Sequence, residues 1–579
     1  MSLLSQNDFG DAVKIIEPYF IKRAETGNIP GTAYGIVANG RLIGTHTIGY
    51  RELNQKAVTN PDTVFRIASM TKSFCAAAVL QLRDAGKLQL DDLAVAHVPE
   101  LKCLNYPTAD TLPITIRHLL TMTAGLPQDD PWADRQLYRD DDGMNAFYQQ
   151  GATFSSPPAT RFEYSNYGYM LLGRIVSNVS GQSALDYITD HILKPLGMHD
   201  TVWNAADVPA ERLAHGYFWL DGAWQNEEML PSGGDNALFA GLFTTVADLG
   251  RWINLFLSAW PPRDEPDGGV LKRGSLREMQ QPWSHATSYV RPQEIGDLSR
   301  LSTNAYGYGL FIQNDGQFPI VGHGGGLPGF GSYMCWSPEH NIGIIALGNQ
   351  RYSGFSQVCT SALTYLIEKL KVPAYKLTPS AELLHAQDGI NRLLHGWDDA
   401  LADSLFADNF FLDLDRAHWK KGLDELRETH GSFRPGEEIV PENRLRGIWR
   451  VRGERGWCKM WLSMTPTVPP LVQKLDIKSI LPLSTAMETM IPRLIKLVAQ
   501  PVLASLDDLR SDDSDQANLW DKIRLARLIC GICVMGDIVE SDGRNRALIT
   551  FKGEKADASV DIQLDQSGKL AKVRFWNNL

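Results

Sequence analysis

The sequence lacks the features that define several large classes of protein. Its formal net charge is −11, which argues against binding to nucleic acids or anionic membranes, because both require a basic face. Its seven cysteines, an odd number scattered along the chain, do not form the disulfide framework of a small secreted protein. Its most apolar late stretch, residues 490–506, is too short to cross a bilayer and carries Arg493 and Lys496. We predict a buried amphipathic helix there.

The N-terminal residues also lack the basic region and the unbroken apolar stretch of an export signal, which predicts a cytoplasmic protein with no membrane span. What the chain does contain is typical of folded enzymes, with 44% hydrophobic and 21% charged residues. At 579 residues it exceeds the size of a single hydrophobic core. We therefore expect several domains.

One Cys-x-x-Cys pair, Cys530 and Cys533, lies inside an apolar run. Such a pair can bind zinc or act in redox chemistry, but no second Cys or His pair lies nearby in the sequence to complete a metal site. We expect both thiols to pack in a core, with redox or metal use as the alternative.

The pattern of residues 1–372 predicts one mixed α/β (α+β) domain. Residues 8–25 have helical periodicity, and residues 35–44 form two apolar runs joined by Asn39 and Gly40, which is typical of a tight hairpin turn. Helical patterns dominate the middle of the domain before strand patterns return, so we expect an antiparallel sheet that contains both ends of the domain. The other predicted elements are helices at 73–85, 168–179 and 355–370 and strands at 306–313, 320–322, 331–336 and 342–348.

Residues 373–380 have the proline content and weak periodicity of a linker. Beyond it we predict two α+β accessory domains, 381–480 and 481–579, because a pattern of helices followed by strands occurs twice. Residues 405–413 faintly resemble the cone-shaped fold of nuclear-transport-factor-like domains. The predicted elements are helices at 381–407 and 484–534 and strands at 447–452, 459–464, 547–551, 558–564 and 570–575.

Ser69 and Lys72 begin an apolar helical pattern with the spacing Ser-x-x-Lys. Residues three apart on a helix share a face, so the hydroxyl and the amine can meet. A serine attacks a carbonyl when a base takes its proton, and Lys72 can do so if burial or a second cation keeps its amine neutral. The Ser69 N–H, at the helix N-terminus, can also bind an oxyanion. The alternative is an N-capped helix with a solvated lysine.

Tyr164 and Asn166 form a Tyr-x-Asn pair whose side chains would project to the same side of an extended loop. Tyr164 is a candidate proton shuttle, because a nearby ammonium favours the phenolate. Asn166 can donate to a substrate carbonyl and hold the Lys72 amine. The alternative is that this aromatic-rich stretch only packs the start of a helix.

His323 follows an apolar strand and precedes three glycines. Gly324, Gly325 and Gly326 allow the backbone to approach a ligand closely, and the Gly326 N–H is a candidate oxyanion donor opposite Ser69. The alternative is a flexible hairpin with a surface histidine.

The Ser-x-x-Lys, Tyr-x-Asn and His-x-Gly motifs, in this order along the chain, resemble the three motifs of the serine β-lactamases and penicillin-binding proteins. The Tyr-x-Asn form resembles class C β-lactamases and their non-lactamase relatives. Residues 114–127 and 168–176 also resemble this superfamily, and the resemblance covers about residues 10–370. It implies the β-lactamase/DD-peptidase-like fold, an antiparallel sheet flanked by helices with an all-helical subdomain.

The resemblance also implies a mechanism that needs no metal or organic cofactor. Ser69 would form an acyl-enzyme with an ester, amide or lactam carbonyl while Lys72 and Tyr164 move protons. Asn166 would position the acyl group, and the Ser69 and Gly326 amides would hold the oxyanion. Water would then release the acyl group.

The third motif departs from the family pattern, because His323 and Gly324 replace the lysine and threonine of Lys-Thr-Gly. An imidazole with its ordinary pKa of about 6.5 is mostly neutral at pH 7, so the site should hold an anionic β-lactam or peptide carboxylate weakly. His-x-Gly versions occur in D-aminopeptidases and in related esterases and amidases. We therefore predict turnover of small esters, amides or peptides, with slow penicillin acylation at most.

Several alternatives stay open. The protein could be a true β-lactamase or DD-carboxypeptidase in which another cation replaces the lysine, or a catalytically silent ligand binder or sensor. The glycine run also resembles the oxyanion loop of α/β-hydrolases, but the chain has no Gly-x-Ser-x-Gly elbow. Residues 380–579 could form a lid, bind a ligand or mediate formation of a homo-oligomer.

Overall fold

The computed structural model describes residues 6–291, 300–315, 317–512 and 514–577. The chain divides between Tyr375 and Lys376 into two compact units. In the described part of the chain, no helix combines the length and the apolarity that crossing a bilayer requires.

The first unit is built on a nine-stranded antiparallel sheet. The strands of this unit are β1 (Gly31–Ala38), β2 (Arg41–Glu52), β3 (Ala57–Val58), β4 (Phe65–Arg66), β5 (Tyr217–Leu220), β6 (Ala223–Asn226), β7 (Phe243–Thr244), β8 (Ser284–Arg291), β9 (Arg300–Tyr306), β10 (Phe311–Asn314), β11 (Pro319–Leu327), β12 (Phe330–Ser337) and β13 (Ile342–Gly348). The sheet has the order β3-β2-β1-β13-β12-β11-β10-β9-β8, while β4 pairs with β7 and β5 with β6. Because β1 pairs with β13, the sheet contains both ends of the unit, as predicted.

Helices cover both faces of the large sheet. They are α1 (Gln6–Thr26), α2 (Thr71–Asp84), α3 (Ala94–His97), α4 (Ile116–Leu120), α5 (Asp130–Ala133), α6 (Asp141–Gln149), α7 (Asn166–Ser180), α8 (Ala184–Ile188), α9 (Ala237–Ala240), α10 (Val246–Leu257), α11 (Arg273–Met279) and α12 (Ser356–Lys369). One face of the sheet packs against α1 and α12, and the other packs against a larger helical region that includes α2, α7 and α10.

Helix α2 lies at the centre of the larger core. Its residues from Thr71 to Leu80 are all buried. Phe74 stacks on Trp252 with ring centroids 3.9 Å apart, and the alanines at 76–78 allow neighbouring elements to approach closely. Any polar side chain on this part of the helix is therefore withdrawn from water, which disfavours its charged form.

The second unit contains an eight-stranded sheet whose strands follow chain order. Its elements are α13 (Ala381–His395), α14 (Asp399–Leu405), α15 (Phe410–Asp413), α16 (Arg416–His430), β14 (Val440–Asn443), β15 (Arg446–Gly453), β16 (Gly456–Met464), β17 (Val472–Ile480), α17 (Thr485–Ala499), α18 (Leu503–Asp507), α19 (Gln516–Cys530), β18 (Cys533–Ser541), β19 (Arg546–Gly553), β20 (Ala558–Leu564) and β21 (Leu570–Asn577). Two separate hydrophobic cores lie within residues 383–475 and 487–573. The division into two accessory domains stays a prediction, which these two cores support.

Several sequence expectations are confirmed. The opening helix spans Gln6–Thr26. Asn39 and Gly40 have φ values of 52° and 75° in the turn between β1 and β2, as an Asn-Gly hairpin requires. Cys530 and Cys533 are both buried in a hydrophobic core.

Other predicted boundaries are wrong. Residues 306–313 do not form one strand, because the chain turns between β9 and β10 and Gly309 has a φ of +70°. The strand predicted at 320–322 extends to residue 327, so the alternative of a flexible hairpin is wrong, because pairing with β12 satisfies the glycine backbone. Residues 381–407, expected to be helical, divide into the two helices α13 and α14, and residues 533 and 534 begin β18 instead of ending a helix. The hairpin of β5 and β6 and the helix α16 have no counterpart among the predicted elements.

Gly309, in the turn before β10, lies close to the backbone of α2. A Cβ at Gly309 would lie 2.7 Å from the Lys72 carbonyl oxygen, so Gly309→Ala should combine a positive-φ penalty with a clash against α2. We expect a loss of about 2–4 kcal/mol in the free energy of unfolding. Gly86→Ala is the matched control, because Gly86 has a φ of +71° and a Cβ there would have nothing within 4 Å; it should cost about 1 kcal/mol. Equal midpoints of urea unfolding for Gly309→Ala and Gly86→Ala would contradict a clash between the added Cβ at position 309 and α2.

Candidate active site

Ser69 lies in a 3₁₀ turn, Ala68–Met70, that leads directly into α2. Ala68 has a φ of +51°, which L-residues rarely adopt, and its carbonyl accepts from the Thr71 hydroxyl at 2.7 Å. The carbonyl of Ile67 accepts from Ser332 Oγ on β12 at 2.8 Å. Both the helix and the sheet therefore hold the turn that carries Ser69.

Lys72 is buried on the first turn of α2 and has three acceptors. Nζ donates to Ser69 Oγ at 3.0 Å, to Asn166 Oδ1 at 2.6 Å and to the Phe239 carbonyl at 3.0 Å. Burial lowers the pKa of Lys72 to about 8, although nearby carboxylates, with Asp130 the largest, oppose this shift. Once the ammonium loses a proton, its lone pair can accept the proton of Ser69.

Tyr164 lies beside the same amine, with its ring centroid 4.8 Å from Lys72 Nζ. Its hydroxyl is buried and makes no hydrogen bond of ordinary geometry, although Ser69 is close enough to lower its pKa. The expected ease of ionisation is not found, because burial raises the pKa of Tyr164 well above its usual value. The resting side chain is a neutral phenol, which can relay a proton without being a phenolate base.

Asn166 is the first residue of α7 and is buried. Two aspartates that the sequence analysis missed hold it in place. Its backbone N–H donates to Asp129 Oδ1 and its side-chain amide donates to Asp130 Oδ1, both at 2.8 Å. The Tyr167 N–H also donates to Asp129 at 2.8 Å, so this carboxylate caps the helix. Because the amide NH₂ is bound to Asp130, Asn166 Oδ1 faces Lys72.

A third carboxylate that the sequence analysis missed, Asp134, acts on the same amine. It is buried, and burial raises its pKa to about 7. The Tyr352 hydroxyl donates to Asp134 Oδ2 at 2.8 Å. Among the residues that the structure describes, no arginine or lysine forms an ion pair with Asp129, Asp130 or Asp134.

His323 is only 2% exposed, so the alternative of a surface histidine is wrong. Nδ1 donates to the Gly324 carbonyl at 2.6 Å, which leaves Nε2 to accept from the Tyr306 hydroxyl at 3.3 Å. Burial, with a smaller contribution from Lys72, lowers the pKa of His323 to about 3. The imidazole is therefore neutral, as expected. Its predicted contact with substrate stays a prediction, since both nitrogens have partners within the protein.

The glycines after His323 bring β11 against the turn that carries Ser69. A Cβ at Gly325 would lie 2.1 Å from the Ile67 carbonyl oxygen, so only glycine fits this approach. A Cβ at Gly326 would lie 2.9 Å from the Tyr352 ring. The oxyanion role of the Gly326 N–H stays a prediction.

The three aspartates have no distinctive sequence signal. Asp129 and Asp130 precede Pro131, a pattern that equally favours an ordinary helix start. Only the contact between the short α5 and the beginning of α7 reveals their role. In the described ranges, no group of three or more His, Cys, Asp or Glu side chains could hold a metal ion.

Comparisons with known proteins relate this chain to one family and to several named proteins. The family model described as Beta-lactamase matches residues 16–363. Protein flp of Staphylococcus aureus (strain MW2) is 34% identical over 332 residues, which cover 56% of this chain and 60% of that protein. Penicillin-binding protein 4* of Bacillus subtilis (strain 168) is 27% identical over 347 residues, which cover 58% of this chain and 72% of that protein. The chain thus spans about 60% of the length of protein flp.

One solved structure resembles both units. The octameric penicillin-binding protein homologue from Pyrococcus abyssi aligns over 98% of each chain, with a TM-score of 0.50 and 19% sequence identity, which is a likeness of fold. The family model covers more than half of the chain, from the opening helix to α12, and includes the turn of Ser69, the start of α7 and strand β11. The chain belongs to the beta-lactamase family.

Proposed function

We propose that this protein is a serine hydrolase that acts through an acyl-enzyme on small esters, amides or peptides. The observation that carries the proposal is the hydrogen bond between Lys72 Nζ and Ser69 Oγ at 3.0 Å, together with a Lys72 pKa lowered to about 8. An amine that deprotonates readily beside a serine hydroxyl is the arrangement that activates a serine nucleophile. Membership of the beta-lactamase family supports the same reaction type.

In acylation, Ser69 Oγ forms a bond to the substrate carbonyl carbon while its proton passes to the neutral Lys72 amine. The Ser69 and Gly326 N–H groups meet the charge that develops on the carbonyl oxygen. The proton then passes to the leaving group, from Lys72 or through the Tyr164 hydroxyl, as the bond to the leaving group breaks. Water attacks the acyl-enzyme along the reverse proton path and releases the acid. Asn166 keeps the Lys72 amine in position throughout.

The charge of the site favours a substrate with a positive group near its carbonyl. Three aspartates act on a single lysine, of which Asp134, with its pKa raised by burial to about 7, is about half ionised at neutral pH. Burial lowers the pKa of His323 to about 3, so the histidine adds no positive charge. A β-lactam or peptide carboxylate would meet this negative field, whereas the free ammonium of an amino-acid amide or ester would be attracted. We therefore propose an esterase, amidase or aminopeptidase whose substrates carry a free amine, D-amino-acid derivatives among them.

The alternatives predict different behaviour. A true β-lactamase or DD-carboxypeptidase would prefer an anionic substrate and hydrolyse nitrocefin rapidly. A silent ligand binder would form no covalent adduct at Ser69. We also propose that residues 376–579 mediate self-association, since a solved structure that aligns with both units is described as octameric.

Replacing the nucleophile tests the reaction type. Ser69→Ala should lower the hydrolysis of p-nitrophenyl acetate by at least about a thousandfold, because no other group replaces the attacking hydroxyl. Ser258→Ala, at the exposed end of α10, is the matched control and should keep full activity. Intact-mass analysis after treatment with a fluorophosphonate should detect one adduct on the wild type and on Ser258→Ala. An adduct or unchanged turnover in Ser69→Ala would reject the proposal.

The pH profile tests the role of Lys72. Activity requires the neutral amine, so kcat/KM should rise as the pH passes the lowered Lys72 pKa of about 8. The Asp130 charge opposes that lowering. Asp130→Asn, which keeps an acceptor for Asn166, should therefore move the acidic limb of the profile to lower pH. Asp142→Asn, an exposed carboxylate on α6, should leave the limb in place. A shift of the Asp130→Asn limb to higher pH would contradict this assignment.

A pair of substrates tests the charge preference. D-alanine p-nitroanilide carries an ammonium, and N-succinyl-D-alanine p-nitroanilide carries a carboxylate at the same end. We expect the wild type to prefer the ammonium substrate by about tenfold or more in kcat/KM, as a net attraction of ~1.4 kcal/mol would give. Asp134→Asn should reduce this preference, and Asp142→Asn should not. Equal turnover of the two substrates by the wild type would contradict the proposal.

A further inference from the structure

The second unit contains a cavity of about 590 Å³, which falls within the range of about 300–1,000 Å³ typical of small-molecule pockets. Helix α16 forms one side, and the end of β17 with the turn between β18 and β19 forms the other. Apolar side chains make up much of its wall. They are Leu414, Trp419, Leu423, Leu426, Ile477 and Leu481.

Trp419, in the wall, carries an indole N–H as well as apolar surface. Its ring stacks on Phe410 with centroids 4.9 Å apart. Its indole N–H is buried and has no acceptor. A buried N–H without an acceptor is unfavourable, so a ligand that supplies an acceptor would relieve it.

Ser479, also in the wall, has a hydroxyl proton to donate. Its Oγ lies 2.7 Å from His430 Nε2, while His430 Nδ1 is buried without a partner. Burial lowers the pKa of His430, with a smaller contribution from Arg455, so the ring is neutral and carries a single N–H. When that proton lies on Nε2, Ser479 Oγ accepts from His430 and keeps its own hydroxyl proton for a ligand.

Arg544 adds a positive charge at the rim. In the described part of the chain its guanidinium forms no ion pair or hydrogen bond, whereas the carboxylates nearby are engaged. Asp542 accepts from the backbone N–H groups of Arg544 and Arg546 at 2.8 and 3.0 Å. Glu425 pairs with Lys421 at 3.6 Å.

Beside its apolar wall the cavity thus offers neutral donors, the Trp419 N–H and the Ser479 hydroxyl among them, and the Arg544 cation. We propose that the cavity binds a small amphipathic carboxylate, with its alkyl or aryl body against α16 and its carboxylate at Arg544. Trp419 and Ser479 act as additional donors to the bound molecule. This site is separate from Ser69 and does not depend on the proposed hydrolysis.

Calorimetric titration of the full-length protein tests the site. The probes are dodecanoate, 2-naphthoate, dodecanol and dodecylammonium, each below its micellar concentration. Dodecanoate or 2-naphthoate should bind with one site per chain, and dodecanoate should bind about tenfold tighter than dodecylammonium, as one charge-assisted contact provides. The absence of saturable binding by both carboxylates, or equal affinity for the ammonium, would overturn the proposal.

Variants locate the binding. Arg544→Gln should weaken dodecanoate binding by about tenfold without changing dodecanol binding. Arg444→Gln is the matched control, because it removes another exposed arginine of this unit, which pairs with Glu382 at 3.5 Å. It should change neither dodecanoate binding nor dodecanol binding. Leu426→Trp should fill the cavity and abolish the binding of both dodecanoate and dodecanol. Trp419→Phe, which keeps an aromatic ring but not the N–H, should weaken dodecanoate binding, and it tests the site if Leu426→Trp fails to fold. Ser69→Ala should bind dodecanoate normally. Unchanged dodecanoate binding in Arg544→Gln would place the ligand elsewhere and overturn the assignment.

Discussion

The burial of one ammonium group, that of Lys72, determines how the site works. Water would stabilise the charge, and the protein replaces water with only three acceptors, on Ser69, Asn166 and the Phe239 carbonyl. These three bonds satisfy the N–H donors but do not restore the stabilisation that surrounding water gives to a charge, so burial lowers the Lys72 pKa from 10.5 to about 8. The same withdrawal from water keeps Tyr164 a neutral phenol and His323 a neutral imidazole. One physical cause, desolvation, therefore sets the protonation state of all three groups.

Desolvation alone would disfavour the Lys72 ammonium further, and the three aspartates act against it. Asp129, Asp130 and Asp134 raise the Lys72 pKa through their charges. Asp130 also orients Asn166, so electrostatic balance and geometry depend on the same side chain. As a result, carboxylates surround the amine, and the neutral His323 stands where the family pattern has a lysine. This charge distribution favours a substrate that is not an anion, as proposed above. The proposed substrate preference therefore depends on the charge of the pocket more than on the fold.

Much of the fold could be predicted because the relevant signals are local. Asn39-Gly40 fixes a hairpin turn, and the period of residues 8–25 fixes a helix. The predicted strand at 306–313 is wrong because Gly309 forms a turn there. From sequence alone, a glycine in a turn is hard to distinguish from a glycine within a strand. The glycines of β11 show the opposite case: they form a regular strand because β12 pairs with them and the Ser69 turn requires their small size.

The sequence by itself determined the family resemblance, the order of the motifs and the loss of the fixed lysine in the third one, because these depend only on residue type and spacing. The tertiary structure alone decided the protonation of Lys72 and Tyr164 and lowered the His323 pKa far below its ordinary value, since a pKa depends on burial and on charges brought from distant parts of the chain. It also decided that Asp129, Asp130 and Asp134 belong to the site. Carboxylates act on an amine through space, and no spacing along the chain records that distance.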